Sequence, residues 1–363
     1  MKYFILSGEP SGDLHGSNLA KAIFDSDKEA IIYGWGGELM KNAGVNITKP
    51  ITELAFMGFV EVLLNLNKIL KNFKEFKETI INLNPDKIIL IDFPGFNLRV
   101  AKWLRKNNFK TYYYILPQAW AWYRSRAKKI KKYVDIPISI LPFEEKFYQN
   151  YNLKVYYVGN PLLDHIETFK QSNKNTIKAD KPIIAILPGS RLQEIKLLLP
   201  IMIKAVKPYE NKFQIYVAGL SFIDKNIYLD SGVAPDQLLI NQTYELLQNS
   251  YAAIVTSGTA TLETAIFDVP LVVCYKANWI SYLIARMVAR VSFISLVNLI
   301  YNAEIVKELI QDKCTIDEIQ KELDKIIFDT SYREQMLNHF GELKQILGTC
   351  GASNKAAEII IHY

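Results

Sequence analysis

Ser257-Gly258-Thr259-Ala260-Thr261-Leu262-Glu263 follows an apolar run over 251–255 and opens a helical pattern that continues through Thr264, Ala265 and Ile266. A short apolar run that ends in small residues reads as a buried parallel strand, so the stretch is a strand-to-helix turn. Small residues and hydroxyls at a helix start leave backbone N–H groups facing outward. Those donors, with the positive end of the helix dipole, attract phosphate. Glu263, further into the helix, can accept hydrogen bonds from both hydroxyls of a ribose. One reading is a nucleotide diphosphate held here, with Ser257, Gly258, Thr259 and Glu263 as contacts. The other is an ordinary helix capped by Thr256 or Ser257.

The same alternation of apolar runs and helical stretches extends in both directions along the chain. Strands are expected over 3–7, 87–91, 111–116 and 135–140, then over 183–187, 213–218, 252–255 and 271–274. The segment 167–180 between the two groups is polar and reads as a linker. Such alternation implies parallel sheets with helices on both faces. The predicted fold is α/β, with two doubly wound Rossmann-like domains over residues 1–166 and 181–340. Residues 341–363 form a C-terminal helix packing back on the N-terminal half. Ligands would bind at the carboxyl ends of the strands, in a cleft between the domains.

A length of 363 residues suits two domains at about 150 residues each, and half the residues are hydrophobic. No segment reaches the ~18 uninterrupted apolar residues of a membrane span. The first apolar run is too short for a secretory signal, because Ser7-Gly8-Glu9 ends it. Cys274, Cys314 and Cys350 are widely spaced, with neither metal-ligand nor redox spacing, and suit a reducing cytosol. A net charge of +6 favours anionic partners, whether phosphorylated substrates, acidic lipid surfaces or nucleic acid.

The first loop, Ser7-Gly8-Glu9-Pro10-Ser11-Gly12-Asp13, stands where a dinucleotide fold carries its glycine fingerprint, and the fingerprint is absent. Glu9 and Asp13 would repel a pyrophosphate, which argues against NAD or FAD in the first half. A sugar or other hydroxyl-bearing ligand fits better, with Ser11 and Gly12 among its contacts. Alternatively, Asp13 caps a helix and Glu9 is a solvated loop charge. His15 reads as a helix-surface residue. Asp92 ends the strand 87–91, before Phe93-Pro94-Gly95-Phe96-Asn97, where a carboxylate meets the cleft and serves as general base. Its alternative is a cap for the next helix; Glu9 and Asp13 are the reserve candidates for the base.

In the second half, Leu187-Pro188-Gly189-Ser190-Arg191 is another strand-to-helix entry. Gly189 permits close backbone approach, Ser190 adds a hydroxyl, and Arg191 can clamp a diphosphate through its planar fork, unless Glu194 merely pairs with it. Pro117-Gln118-Ala119-Trp120-Ala121-Trp122 sets two tryptophans one residue apart, for sugar stacking or for packing at a domain edge. Arg124, Arg126, Lys128, Lys129, Lys131 and Lys132 follow, as a solvated helix face or a contact for phosphate or acidic lipid. A short cluster without a recognised module argues against nucleic acid. From 56 to 73 an unusually broad apolar face suits either a membrane interface or acyl-chain site or a core helix. The apolar stretch 279–301 carries the same ambiguity.

In this order the motifs resemble the lipid-A-disaccharide synthases, glycosyltransferases of lipid A biosynthesis in Gram-negative bacteria. The resemblance covers nearly the whole chain. It rests on Gly8-Glu9-Pro10-Ser11-Gly12-Asp13, Met57-Gly58-Phe59-Val60-Glu61-Val62, Ile91-Asp92-Phe93-Pro94-Gly95-Phe96-Asn97, Pro117-Gln118-Ala119-Trp120-Ala121-Trp122 and Leu141-Pro142-Phe143-Glu144. Leu187-Pro188-Gly189-Ser190-Arg191, the stretch 257–263 and Val297-Asn298-Leu299 complete it. It implies a B-type glycosyltransferase fold and inverting transfer from UDP-2,3-diacylglucosamine to 2,3-diacylglucosamine 1-phosphate (lipid X), giving a β-1,6 disaccharide and UDP without metal or cofactor. It further implies acceptor binding by residues 1–166 and UDP-sugar binding by residues 181–340, with Asp92 as base, and Arg191, Glu263 and Asn298 as donor-site residues. The implied location is peripheral, on the cytoplasmic face of the inner membrane, and a homodimer is admitted. One departure stands out: after Asn298 many members carry a Gly-Arg pair, where this chain has Ile300-Tyr301-Asn302. The rivals are a UDP-sugar epimerase on the same fold and a non-enzymatic membrane-surface binding protein.

Overall fold

The computed structural model describes residues 1–54, 66–121, 123–172, 177–279, 282 and 291–363. They divide into two compact units, Met1–Asp164 with Thr349–Tyr363, and His165–Gly348. The first unit holds β1 (Lys2–Leu6), β2 (Ile31–Gly36), β3 (Asn46–Pro50), β4 (Lys87–Ile91), β5 (Thr111–Tyr114), β6 (Ile136–Ser139) and β7 (Tyr156–Tyr157). They form one parallel sheet in the order β3-β2-β1-β4-β5-β6-β7. The second holds β8 (Ile183–Leu187), β9 (Gln214–Gly219), β10 (Leu238–Ile240), β11 (Ser250–Thr256), β12 (Leu271–Tyr275) and β13 (Glu308–Ile310). Their order is β10-β9-β8-β11-β12-β13, again all parallel. Each sheet starts at its centre, winds to one edge, then returns to wind to the other. The reversal lies between β1 and β4 in one unit and between β8 and β11 in the other, and in open α/β sheets ligands bind at such points.

Both faces of the first sheet are covered, which is why its strands read as continuous apolar runs rather than alternating ones. Phe4, Leu6, Ile88, Leu90 and Tyr113 pack with Trp35 and Phe76 on one side. Tyr3, Ile5, Ile89, Ile91 and Tyr112 face the other, against Ala352, Ala356 and Ile360 of the last helix, Ala352–His362. That helix belongs to the first unit. The helix before it, Thr330–Leu347, lies in the second. Two glycines with positive φ, Gly348 (+80°) and Gly351 (+100°), separate them. Lys87 Nζ donates to the Ile361 carbonyl at 2.7 Å, a cation satisfying carbonyls at a helix C-terminus.

The structure departs from expectation in places with clear causes. β2 is interrupted by Gly34, whose Cβ would lie 2.6 Å from the Ile5 carbonyl oxygen, so its pattern lacks a strand-like apolar run. β3 is a polar edge strand ending in Pro50. The strand expected over 111–116 stops at Tyr114, because Ile115 turns to φ +62°. The loop expected over 7–13 is largely helix, since Pro10 starts the helix Pro10–Ser26 with its fixed φ at the first position. Helix Pro161–Gln171 enters the polar segment 167–180, and residues 173–176 lie outside the described residues. So does most of the apolar stretch 56–73, of which 66–73 begins the helix Leu66–Leu83. Residues 280, 281 and 283–290 of the second apolar stretch also lie outside.

Candidate active site

At the first switch point β4 ends in two non-glycine residues with left-handed backbone, Asp92 (φ +42°) and Phe93 (φ +46°). Such positions cost on the order of 1–3 kcal/mol each and persist only where the surroundings over-determine them. Here they do. The Asp92 carbonyl accepts from Tyr113 Oη at 2.6 Å and from Asn97 Nδ2 at 2.8 Å, and the Asp92 N–H donates to the Tyr114 carbonyl. Gly8, after β1, lies under the Phe93 ring, where a Cβ would come within 2.4 Å of it. Helix Pro94–Lys106 follows directly. Burial, and then the charge of Glu9, push the Asp92 carboxyl up to about 6; a hydrogen bond from the Phe93 N–H and the charge of Arg126 oppose them. A carboxyl tuned toward neutrality is what general-base work near neutral pH requires. Ser11 is exposed and Gly12 buried in the first turn of Pro10–Ser26.

Asp13 corrects its expectation as a reserve base. It is 4% exposed. Its Oδ1 accepts from the N–H groups of Gly37 (2.7 Å) and Met40 (3.1 Å), and its Oδ2 from Leu39 (3.1 Å). Both oxygens are engaged by the start of the helix Glu38–Asn42, so Asp13 caps a neighbouring helix, a structural role that does not call for it as a base. Trp120 is likewise structural: its Nε1 donates to Glu144 Oε1 at 3.1 Å, and its ring meets Phe143 edge-on. Burial pushes the Glu144 carboxyl up to about 8. Trp122 lies outside the described residues.

At the second switch point Gly189, with φ +99°, turns the chain after β8; a Cβ there would meet Glu194 Oε2 at 2.9 Å and Thr256 Cγ2 at 3.3 Å. The loop after β8 therefore lies against the end of β11. Ser190 and Arg191 are exposed, and Arg191 Nη1 donates to Glu194 Oε1 at 3.3 Å. With Arg191 largely exposed and the contact a single one at 3.3 Å, the pair contributes about 1 kcal/mol or less, so Arg191 is released at little cost. After β11, Ser257 Oγ donates to the Ile294 carbonyl at 3.0 Å. Gly258 and Thr259 are exposed at the start of the helix Thr259–Ile266, where the first N–H groups have no intrahelical partner. Glu263 Oε1 accepts from Tyr244 Oη at 2.7 Å. Burial raises the Glu263 carboxyl, with this hydrogen bond opposing. Tyr244, on the helix Thr243–Gln248, carries no local sequence signal; only the fold brings it to Glu263.

Asn298 is the second correction. It is fully buried, and its side-chain amide is saturated within the protein. Nδ2 donates to the Val306 carbonyl and to Glu308 Oε1, both at 2.9 Å. Oδ1 accepts from the N–H groups of Ile305 and Val306 at 2.9 and 3.0 Å. An amide has two donor hydrogens and two acceptor lone pairs, and all four are spent. Asn298, on the short helix Leu296–Tyr301, therefore organises the segment 294–306, and its side-chain amide is spent within the protein. Glu308, unremarked in sequence because it opens a three-residue strand, holds the same segment. It accepts from the N–H groups of Ile294 and Ser295, from Ser295 Oγ and from Asn298. Among the described residues no group of three or more His, Cys, Asp or Glu side chains is placed to hold a metal ion.

Two doubly wound parallel units, with turns bearing polar side chains at both switch points, are the fold of the B-type glycosyltransferases. The same fold appears in a UDP-GlcNAc 2-epimerase from Neisseria meningitidis bound to UDP-GlcNAc, with TM-score 0.68, 12% identity and 100% of both chains covered. A calicheamicin glycosyltransferase gives TM-score 0.61 at 14% identity, covering 99% of this chain and 98% of that one. These likenesses establish fold alone. Sequence goes further: the lipid-A-disaccharide synthetase family model matches residues 3–360, and the chain belongs to that family. It is 35% identical to the lipid-A-disaccharide synthase of Myxococcus xanthus, over 99% of this chain and 97% of that protein. The corresponding figures for Coxiella burnetii are 36%, 98% and 96%. The chain is thus a glycosyltransferase, and the epimerase alternative retains only its fold-level likeness.

Proposed function

We propose that the protein transfers a 2,3-diacylglucosaminyl group from UDP to the 6-hydroxyl of 2,3-diacylglucosamine 1-phosphate. The observation that carries this reading is the tuned Asp92 carboxyl at one switch point and an anion-attracting turn at the other. Asp92 takes the proton of the acceptor hydroxyl, and the oxygen attacks the anomeric carbon. The bond to UDP breaks with inversion, giving the β-1,6 disaccharide 1-phosphate and UDP. Negative charge developing on the diphosphate is stabilised by the N–H groups at Thr259 and by Arg191, turned from Glu194. Glu263, steadied by Tyr244, accepts hydrogen bonds from the ribose. Gly189, Ser190, Ser257 and Gly258 let the diphosphate approach the backbone, and Ser11, Gly12 and Glu9 line the acceptor side. The reading extends to a peripheral location at the cytoplasmic face of the inner membrane, as monomer or homodimer. Among the described residues no helix is long and apolar enough to cross a membrane. Purified protein given UDP-2,3-diacylglucosamine should release UDP only when the acylated sugar phosphate is added; consumption of the donor without acceptor would make it an epimerase or hydrolase.

Two predictions arise here. The pH–rate profile should rise through about pH 6 and level off above it, because the base works only when ionised. Glu9→Gln removes a charge that pushes this carboxyl up, so the rising limb should move to lower pH. An unmoved limb would assign it to another group. On the donor side, Glu263→Ala and Arg191→Ala should each weaken UDP binding about ten- to a hundredfold, the worth of a charge-assisted hydrogen bond. Tyr244→Phe should have a smaller effect, since its ring still packs on Phe169 and Phe267. Calorimetry giving wild-type affinity for both the Glu263 and Arg191 variants would remove the donor-site assignment.

A further inference from the structure

Beside Asp92 the surface of the first unit carries two adjoining cavities. One, of about 410 Å³, begins at Pro94 and Gly95, immediately after the Asp92–Phe93 turn, and runs between the helices Pro94–Lys106 and Ser125–Tyr133. Four cations line it, Arg99, Lys102, Arg126 and Lys129, and no carboxylate does. None of the four forms an ion pair with a described residue. The other, of about 460 Å³, lies between Pro94–Lys106 and Leu66–Leu83. Its floor is apolar, with Ile69, Leu70, Phe73, Phe96 and Trp103, and Lys106 joins Arg99 and Lys102 on its rim. Leu70 is 63% exposed there. Arg99 and Lys102 border both cavities, so a basic pocket adjoins an apolar groove.

We propose that this double cavity is the acceptor seat: Arg99, Lys102, Arg126 and Lys129 hold the sugar 1-phosphate, and the groove on Trp103 and Phe73 takes one acyl chain. The inference rests on the function proposed above and assigns that function's second substrate a place. The chemistry matches at each point. An anionic phosphate next to an acyl-bearing sugar needs cations beside an apolar slot. The accepting hydroxyl must reach a base while the phosphate, across the same ring, stays on the cations. Pro94 and Gly95, which line the basic pocket, follow the Asp92–Phe93 turn directly, so pocket and base are neighbours along the chain. Phe93 and Phe96 pack at 5.8 Å between centroids, and so connect the Asp92 turn to the groove floor. The sequence reading left the six cations of 124–132 between solvated face and phosphate contact. The fold divides them: Arg126 and Lys129 line the pocket, whereas Lys128, Lys131 and Lys132 are solvent-exposed and line neither cavity.

Lys129→Ala and Arg99→Ala, both exposed positions, are compared with Lys128→Ala and Lys131→Ala, which change net charge equally. Binding of 2,3-diacylglucosamine 1-phosphate, without donor, is read by calorimetry and by Trp103 fluorescence against a Trp103→Phe control. The first pair should weaken it about tenfold or more, the loss typical of a charged hydrogen bond, and the second pair should leave it unchanged. Removing the phosphate from the acceptor should abolish the difference between wild type and the first pair. Equal losses in all four variants, or losses that persist with the dephosphorylated sugar, would overturn the proposal. Loss of binding to phosphatidylglycerol vesicles with unaltered acceptor affinity would also overturn it, and make the face a membrane contact. Because binding is measured without turnover, acceptor that binds as expected but never yields UDP would sink the transferase reading and leave the seat standing.

Discussion

Asp92→Asn is expected to lower turnover by about 10²–10⁴-fold, the usual contribution of a positioned general base, with UDP affinity unchanged. Asparagine keeps the size of the side chain, can still accept from the Phe93 N–H, and tolerates the left-handed backbone of this position. What it lacks is a site for the proton. The same change should stabilise the fold at alkaline pH. The folded carboxyl titrates at about 6, above its ordinary 3.8, so the folded state holds its proton more tightly than the unfolded chain does. Ionised Asp92 therefore costs stability above pH 6, and the cost disappears as pH falls toward 3.8. The gain in melting temperature for Asp92→Asn should be large at pH 8 and small at pH 4. An active, unstabilised variant would mean that Asp92 is neither base nor strained anion, and Glu9 would then be the carboxylate to test.

Much of this architecture is written locally. The strands 87–91 and 183–187 are read to the residue because both their faces are buried, leaving unbroken apolar runs bounded by charge or Pro-Gly. The site turns are legible for the same reason, since each follows directly on such a strand. β2, β10 and β13 are short, interrupted or half-exposed, and their pairing is decided by neighbours distant in sequence. Glycine at 34 makes sense only once the Ile5 carbonyl is seen against it.

Side-chain roles divide along the same line. A carboxylate at a strand end, such as Asp92, advertises itself by position. Whether a polar residue is open or spent depends on partners that sequence does not supply. By motif Asp13 is a reserve base and Asn298 a donor-site residue, yet each is held by backbone groups, 24 or more residues away in one case and seven to eight in the other. Tyr244 and Glu308 are the converse: ordinary in sequence, yet they hold Glu263 and the loop 294–298 in place. Cys274 and Cys314 are both buried free thiols, a state that their wide spacing in sequence does not announce.

Glu308→Ala should cost the second unit about 3 kcal/mol or more, because it leaves several buried neutral donors without an acceptor. The carboxylate takes four hydrogen bonds, from Ile294, twice from Ser295 and from Asn298, and is 9% exposed. Its loss strands donors that water cannot readily reach, each worth about 1–3 kcal/mol when unsatisfied. Glu308→Gln should be milder, because one oxygen still accepts while its NH₂ is forced against a donor. Asn298→Ala should destabilise by a comparable mechanism, and the double variant should lose less than the sum, since both residues serve one network. Denaturant unfolding with UDP binding measured in parallel separates scaffold from contact. UDP affinity should fall only modestly in folded Asn298→Ala, through a loosened Ile294 carbonyl beneath Ser257. A variant that unfolds like the wild type but no longer binds UDP would return Asn298 to the nucleotide site.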